Sequence, residues 1–199
     1  MKLLSPLSSG ASPHVVYSNV YVNIGRGEYM SIRSALVSTF LLRPNKILSR
    51  LFRPSPRAIR FVIHPQTWLW GKLLGSFGVR LENTHYENVP GVIFTPKANV
   101  RPNTIFVFLH GGGYCIGSSR TTHRIGLANL AKTTSCIIHS IDYRLAPNHP
   151  YPAALDDATE AWKKIVAGNP ESQIVLSGDS AGGGLSLALM MRLRDEGFR

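Results

Sequence analysis

Gly178-Asp179-Ser180-Ala181-Gly182 stands between a short apolar run, Ile174-Val175-Leu176, and a longer stretch, Ala181 to Glu196, rich in Leu, Ala and Met. Glycines two residues either side of a polar residue let a chain leave a strand and enter a helix through a sharp turn, since neither carries a Cβ. The spacing therefore predicts strand, tight turn and helix across this stretch. The helix carries Leu185, Leu187, Ala188, Leu189, Met190, Met191 and Leu193, so it is apolar nearly all round and is expected to be deeply buried.

The same alternation recurs upstream. Val89 to Thr95 reads as a short strand. Thr104-Ile105-Phe106-Val107-Phe108-Leu109 is a continuous apolar run of the kind that is buried on both faces. Thr121 to Thr133 reads as a helix capped by threonine, and Cys136 to Ser140 as the next strand. Pro152 to Ala167 is the clearest helix, with Leu155, Ala158, Trp162 and Ile165 on one face and Asp156, Asp157, Glu160, Lys163 and Lys164 turned outward. Gly168-Asn169-Pro170 ends it. Strands alternating with helices predict a three-layer α/β sandwich with a mostly parallel sheet and helices on both faces. In such sheets function sits at the carboxyl ends of the strands, from which the loops after Leu109 and Leu176 both emerge.

Residues 81–199 are thus expected to form one α/β unit, and residues 1–80 a separate region of basic arm and cap-like helices. Residues 1–28 read as a loose arm, 29–52 as helical, and Pro65 to Leu74 as a further helical piece. The net charge of +11 is concentrated at this end: residues 1–60 hold nine Lys/Arg and one acid, Glu28. A basic arm suits weak contact with an anionic membrane surface or a solvated helical face. No nucleic-acid recognition motif accompanies it. Cys115 and Cys136 are too few for a disulfide framework and fit a reducing compartment. Met1-Lys2-Leu3-Leu4 opens like a signal peptide, but Ser5, Pro6, Ser8 and Ser9 break it. A cytoplasmic location is expected, with no metal and no cofactor.

The turn at Ser180 lifts its hydroxyl above the sheet, at a helix N-terminus whose free N–H groups favour developing negative charge. Gly-Asp-Ser also occurs in trypsin-like proteases, but there in an all-β setting with Gly after the serine; here Ala181 and a helix follow. His110-Gly111-Gly112-Gly113-Tyr114 follows the strongest buried strand. Successive glycines let backbone N–H groups crowd round a substrate oxygen and stabilise a tetrahedral intermediate. A phosphate cradle would need a Lys-Ser/Thr pair to close the loop, and none does.

His110 to Ser118, Asp142-Tyr143-Arg144-Leu145-Ala146-Pro147, Tyr151 to Asp157 and Gly178 to Gly183 together make the chain resemble the hormone-sensitive-lipase family of esterases and lipases, within the α/β-hydrolase superfamily. The resemblance covers residues 88–197, in order and spacing. Residues 1–80 match only loosely, as the region that contributes to a cap. It implies Ser180 as nucleophile, an oxyanion hole from Gly112, Gly113 and the N–H of Ala181, and His110 with Gly111 as supports of the glycine loop. Asp156 and Asp157 are implied to be structural. The implied substrate is a small acyl ester, and no cofactor is implied.

The resemblance also implies a triad acid and a histidine after the serine. All seven histidines precede Ser180, and the acids after it are Asp195 and Glu196. Asp195 lies fifteen residues along the helix, roughly 20 Å away at 1.5 Å per residue. The chain is therefore expected to be the C-terminally truncated, N-terminal portion of such an enzyme, close to inactive by itself. His110, His123, His139 and His149 are not expected to substitute as base. The competing reading is a non-catalytic small-molecule-binding protein on the same scaffold.

Overall fold

A computed structural model of the chain describes residues 21–23, 29–31, 65, 68–69, 78–101 and 103–198. The backbone divides into two compact units, Met1–Arg53 and Pro54–Arg199. In the first, β1 (Tyr21–Asn23) pairs antiparallel with β2 (Tyr29–Ser31). A strand thus occupies part of the expected loose arm, and another the start of the expected 29–52 helix; residues 32–52 lie outside the described residues. Pro65, Trp68 and Leu69 are helical, as expected for that piece.

The second unit holds β3 (Val79–Tyr86), β4 (Val89–Pro96), β5 (Thr104–Leu109), α1 (Arg124–Thr134), β6 (Ile137–Ile141), α2 (Ala153–Gly168), β7 (Gln173–Gly178) and α3 (Ala181–Asp195). The sheet runs β3-β4-β6-β5-β7. β6, β5 and β7 are parallel, and the hairpin β3–β4 is added antiparallel beside β6. The strand β3 was not legible in the sequence. Its side chains alternate between polar and apolar without a clean period, and its turn uses Glu87 in the left-handed region (φ 55°) in place of a glycine.

β5 lies between two parallel neighbours, which is why its sequence is apolar from Ile105 to Leu109. Val107 and Leu109 pack into a core with Leu155, Ala158 and Ile165 of α2 and Leu185, Leu189 and Leu193 of α3. Phe106 and Phe108 face the other way, against Leu127, Ala128 and Ala131 of α1. Helices therefore cover both faces, and the layered α/β expectation holds. Each fully buried aliphatic side chain contributes roughly 2 kcal/mol from removal of apolar area from water.

Three local expectations need correction. α1 begins at Arg124, after an N-cap at His123 that makes no side-chain cap bond. The hydroxyls of Thr121 and Thr122 bond instead to Ser118, and that of Thr122 also lies 2.8 Å from His123 Nδ1. Asp157 does not face solvent; it is 4% exposed and binds Arg144. α3 buries one stripe only, leaving Leu187, Met190 and Met191 exposed, and β7 is half-buried, with β5 its one strand partner among the described residues. Among the described residues no helix is long and apolar enough to cross a membrane.

Candidate active site

The β7–α3 junction puts Ser180 at the helix N-cap with φ 48° and ψ −119°. That conformation is sparsely populated for a residue with a Cβ and costs of order 1–3 kcal/mol. The N–H of Gly182 donates to the Asp179 carbonyl at 2.8 Å, and that of Gly183 to the Ser180 carbonyl at 3.0 Å. These bonds close the turn beneath the serine, whose side chain stays exposed.

The glycine loop leaves the carboxyl end of the neighbouring strand, β5. Gly112 adopts φ 122°, a conformation open to glycine, and Gly113 and Tyr114 both follow at φ 60°. The N–H groups of Cys115 and Ile116 turn back onto the Gly112 carbonyl at 3.1 and 3.0 Å. The loop is tied directly to the elbow: the Gly111 N–H donates to Asp179 Oδ1 at 2.8 Å. Among the described residues no hydrogen-bond acceptor takes the backbone N–H of Gly112, Gly113 or Ala181. The structure thus brings Gly111, with Gly112 and Gly113 following it, beside the Asp179-Ser180-Ala181 turn.

His110 is 1% exposed and stacks on Tyr143, with ring centroids 4.3 Å apart and planes 10° apart. Its Nδ1–H donates to the Gly111 carbonyl at 2.9 Å, and the Tyr143 hydroxyl donates to the His110 carbonyl. Burial pushes the His110 pKa down, so the ring is neutral at pH 7. Asp142 Oδ1 accepts the N–H and the hydroxyl of Ser119, each at 2.7 Å, which fixes the turn that follows the glycine loop.

His139 Nδ1 is hydrogen-bonded with the Tyr86 hydroxyl at 2.9 Å, and burial pushes its pKa down to about 4. His149 lines an open cavity of about 580 Å³ with Arg120, Asp142 and Asn148, whose walls do not include Ser180. His123 Nε2 lies 3.1 Å from Asp179 Oδ1. Asp195 is paired with its neighbour Arg194 at 2.7 Å. Neither Asp179 nor His123 could be picked out as a site partner from the sequence: Asp179 and Gly111 stand 68 residues apart, and no local pattern encodes their contact.

Residues 106–199 match a family model described as alpha/beta hydrolase fold. An esterase of Acinetobacter venetianus is 38% identical over 101 residues, covering 50% of this chain and 33% of the relative. Carboxylesterase NlhH of Mycobacterium tuberculosis is 38% identical over 117 residues, covering 55% of this chain and 36% of the relative. Carboxylesterase/phospholipase LipF of the same organism is 33% identical over 167 residues, covering 81% and 43% respectively. Among solved structures, an esterase from the bacterial hormone-sensitive lipase family superposes with a TM-score of 0.66 at 35% identity, covering 74% of this chain and 48% of that one. The chain spans between 33% and 43% of the length of these three sequence relatives. Through residues 106–199 the chain has the α/β-hydrolase fold, and it is similar to esterases of the hormone-sensitive lipase family.

Proposed function

We propose that this chain carries the nucleophile and oxyanion-hole portion of a carboxylic-ester hydrolase. Ser180 Oγ attacks the carbonyl carbon of a small acyl ester. The negative charge that develops on the carbonyl oxygen is received by the N–H groups of Gly112, Gly113 and Ala181. The alcohol departs, and water then hydrolyses the acyl-enzyme at the same carbon. His110 and Gly111 hold the glycine loop in place and do not take the serine proton. The observation that carries this reading is the strained Ser180 (φ 48°) at the N-terminus of α3, tied by Asp179 to a loop whose Gly112 and Gly113 N–H groups are uncommitted among the described residues.

The serine proton needs a base. Within these 199 residues no histidine follows Ser180. His110 is committed to the Gly111 carbonyl, His139 to Tyr86 and His123 to Asp179. We infer that the chain by itself turns esters over very slowly. Triad-less serine hydrolases retain about 10³–10⁴-fold catalysis over water, from binding and the oxyanion hole. The test is release of p-nitrophenol from a short-chain ester by the chain and by Ser180→Ala. A second reading is a non-catalytic small-molecule-binding protein on this scaffold. Covalent labelling of Ser180 by a fluorophosphonate separates the two, since it requires a serine set up for acyl transfer.

A further inference from the structure

We propose that His123 is a positioning residue for the oxyanion loop, acting through the Asp179 carboxylate. The inference rests on reading the glycine loop as an oxyanion hole. Asp179 Oδ1 serves two partners at once: the Gly111 N–H at 2.8 Å and His123 Nε2 at 3.1 Å. Gly111 directly precedes the two glycines whose N–H groups face the reaction, so the direction of its peptide sets theirs. The Asp179 side chain is 50% exposed, and a carboxylate in that setting exchanges partners with water unless something behind it holds it.

His123 is built to do the holding. Its side chain is only 20% exposed, and its ring lies 5.5 Å from that of His110 and 6.2 Å from that of Phe108. Thr122 Oγ1 sits 2.8 Å from Nδ1, and the His123 backbone N–H donates to the Ser118 carbonyl at 3.2 Å. The tautomer that satisfies both ring contacts accepts the threonine hydroxyl at Nδ1 and donates its Nε2–H to Asp179. A continuous line of hydrogen bonds therefore runs from the turn at Ser118 through Thr122, His123 and Asp179 to Gly111. The donation also draws charge from a carboxylate that stands beside the forming oxyanion, where an unshared negative charge opposes catalysis.

The test is amide hydrogen exchange in the intact chain, read as the ratio of exchange at Gly111 to exchange at Leu189 in the core. Losing one charge-assisted hydrogen bond in His123→Ala is expected to raise that ratio about tenfold. His123→Gln keeps an N–H donor near the Nε2 position and is expected to stay within about threefold of the native ratio. Asp179→Asn is expected to raise the ratio at least as far as His123→Ala, and the double variant no further. An unchanged ratio in His123→Ala overturns the proposal. So does a parallel rise at Gly111 and Leu189, which marks general destabilisation, and so does failure of His123→Gln to restore the ratio. Failure of the hydrolase reading shows elsewhere, as absence of fluorophosphonate labelling at Ser180, and leaves the exchange ratio untouched.

Discussion

The backbone of Gly182 at the start of α3 sits against the carbonyl oxygen of Leu109 at the end of β5, so close that a Cβ on the glycine would collide with it. Both sides of this contact are main chain, and neither can swing away. Gly182→Ala is therefore expected to push α3 off the sheet and destabilise the unit by about 2–3 kcal/mol. It should also disturb the Ser180 turn. A lowered urea midpoint with an unchanged slope is the expected readout; an unaltered midpoint would show that the helix can slide at no cost.

Asp157 and Arg144 form the best-connected ion pair described. Asp157 Oδ2 accepts the Arg144 backbone N–H at 2.7 Å, and Oδ1 accepts from Nη2 at 2.7 Å and Nε at 2.9 Å. The guanidinium is half exposed, so its Coulomb contribution is discounted; the cost of losing Asp157 lies in the orphaned backbone N–H and the vacated buried site. Asp157→Ala is expected to cost about 2 kcal/mol. Arg144→Ala should cost clearly less, because the backbone bond survives. Equal losses in paired urea titrations would contradict this ordering.

These contacts show why parts of the molecule were legible in the sequence and others were not. β5 declared itself because helices pack on both of its faces, which leaves no polar position from Ile105 to Leu109. The elbow declared itself because close approach at Gly182 excludes every side chain. The start of α1 misled because Thr121 and Thr122 look like caps while their hydroxyls bond within the Ser118–Thr122 turn. Asp157 misled because helical periodicity places it next to polar neighbours, and only tertiary structure supplies Arg144. The pairing of Asp179 with Gly111 and His123 is a product of sheet order and has no local signature.

A buried and a partly buried histidine make stability depend on pH in one direction. His139 falls from 6.5 to about 4 on folding, and His110 is lowered as well, in both cases chiefly by burial. The unfolded chain then binds more protons, so stability is fully present above about pH 6.5 and declines as pH falls towards 4. Denaturation midpoints should fall steadily across this window, and His139→Asn should flatten part of the slope. A midpoint independent of pH there would refute the assignment.

α3 exposes Leu187, Met190 and Met191 at 66%, 58% and 57%, beside the half-buried strand β7. The strand sequence Gln173 to Gly178 carries no charge to discourage edge pairing. The chain is expected to self-associate with rising concentration, and Leu187→Lys with Met191→Glu to shift it towards monomer. Light scattering after size exclusion checks this. A monodisperse native monomer at high concentration would count against it.

We propose that these 199 residues assemble a serine elbow and an oxyanion hole and hold no base for the serine proton. Hydrolysis of a short-chain p-nitrophenyl ester, measured beside fluorophosphonate labelling in the native chain and Ser180→Ala, tests it most directly. The expected result is slow covalent labelling confined to Ser180, faster than in the urea-unfolded chain, with ester turnover far below the ordinary enzyme value of about 10 s⁻¹. Ser180-dependent turnover at ordinary rates would show that a base is present within these residues. Labelling of Ser180 no faster than in the unfolded chain would show that the elbow and glycine loop form no acyl-transfer site.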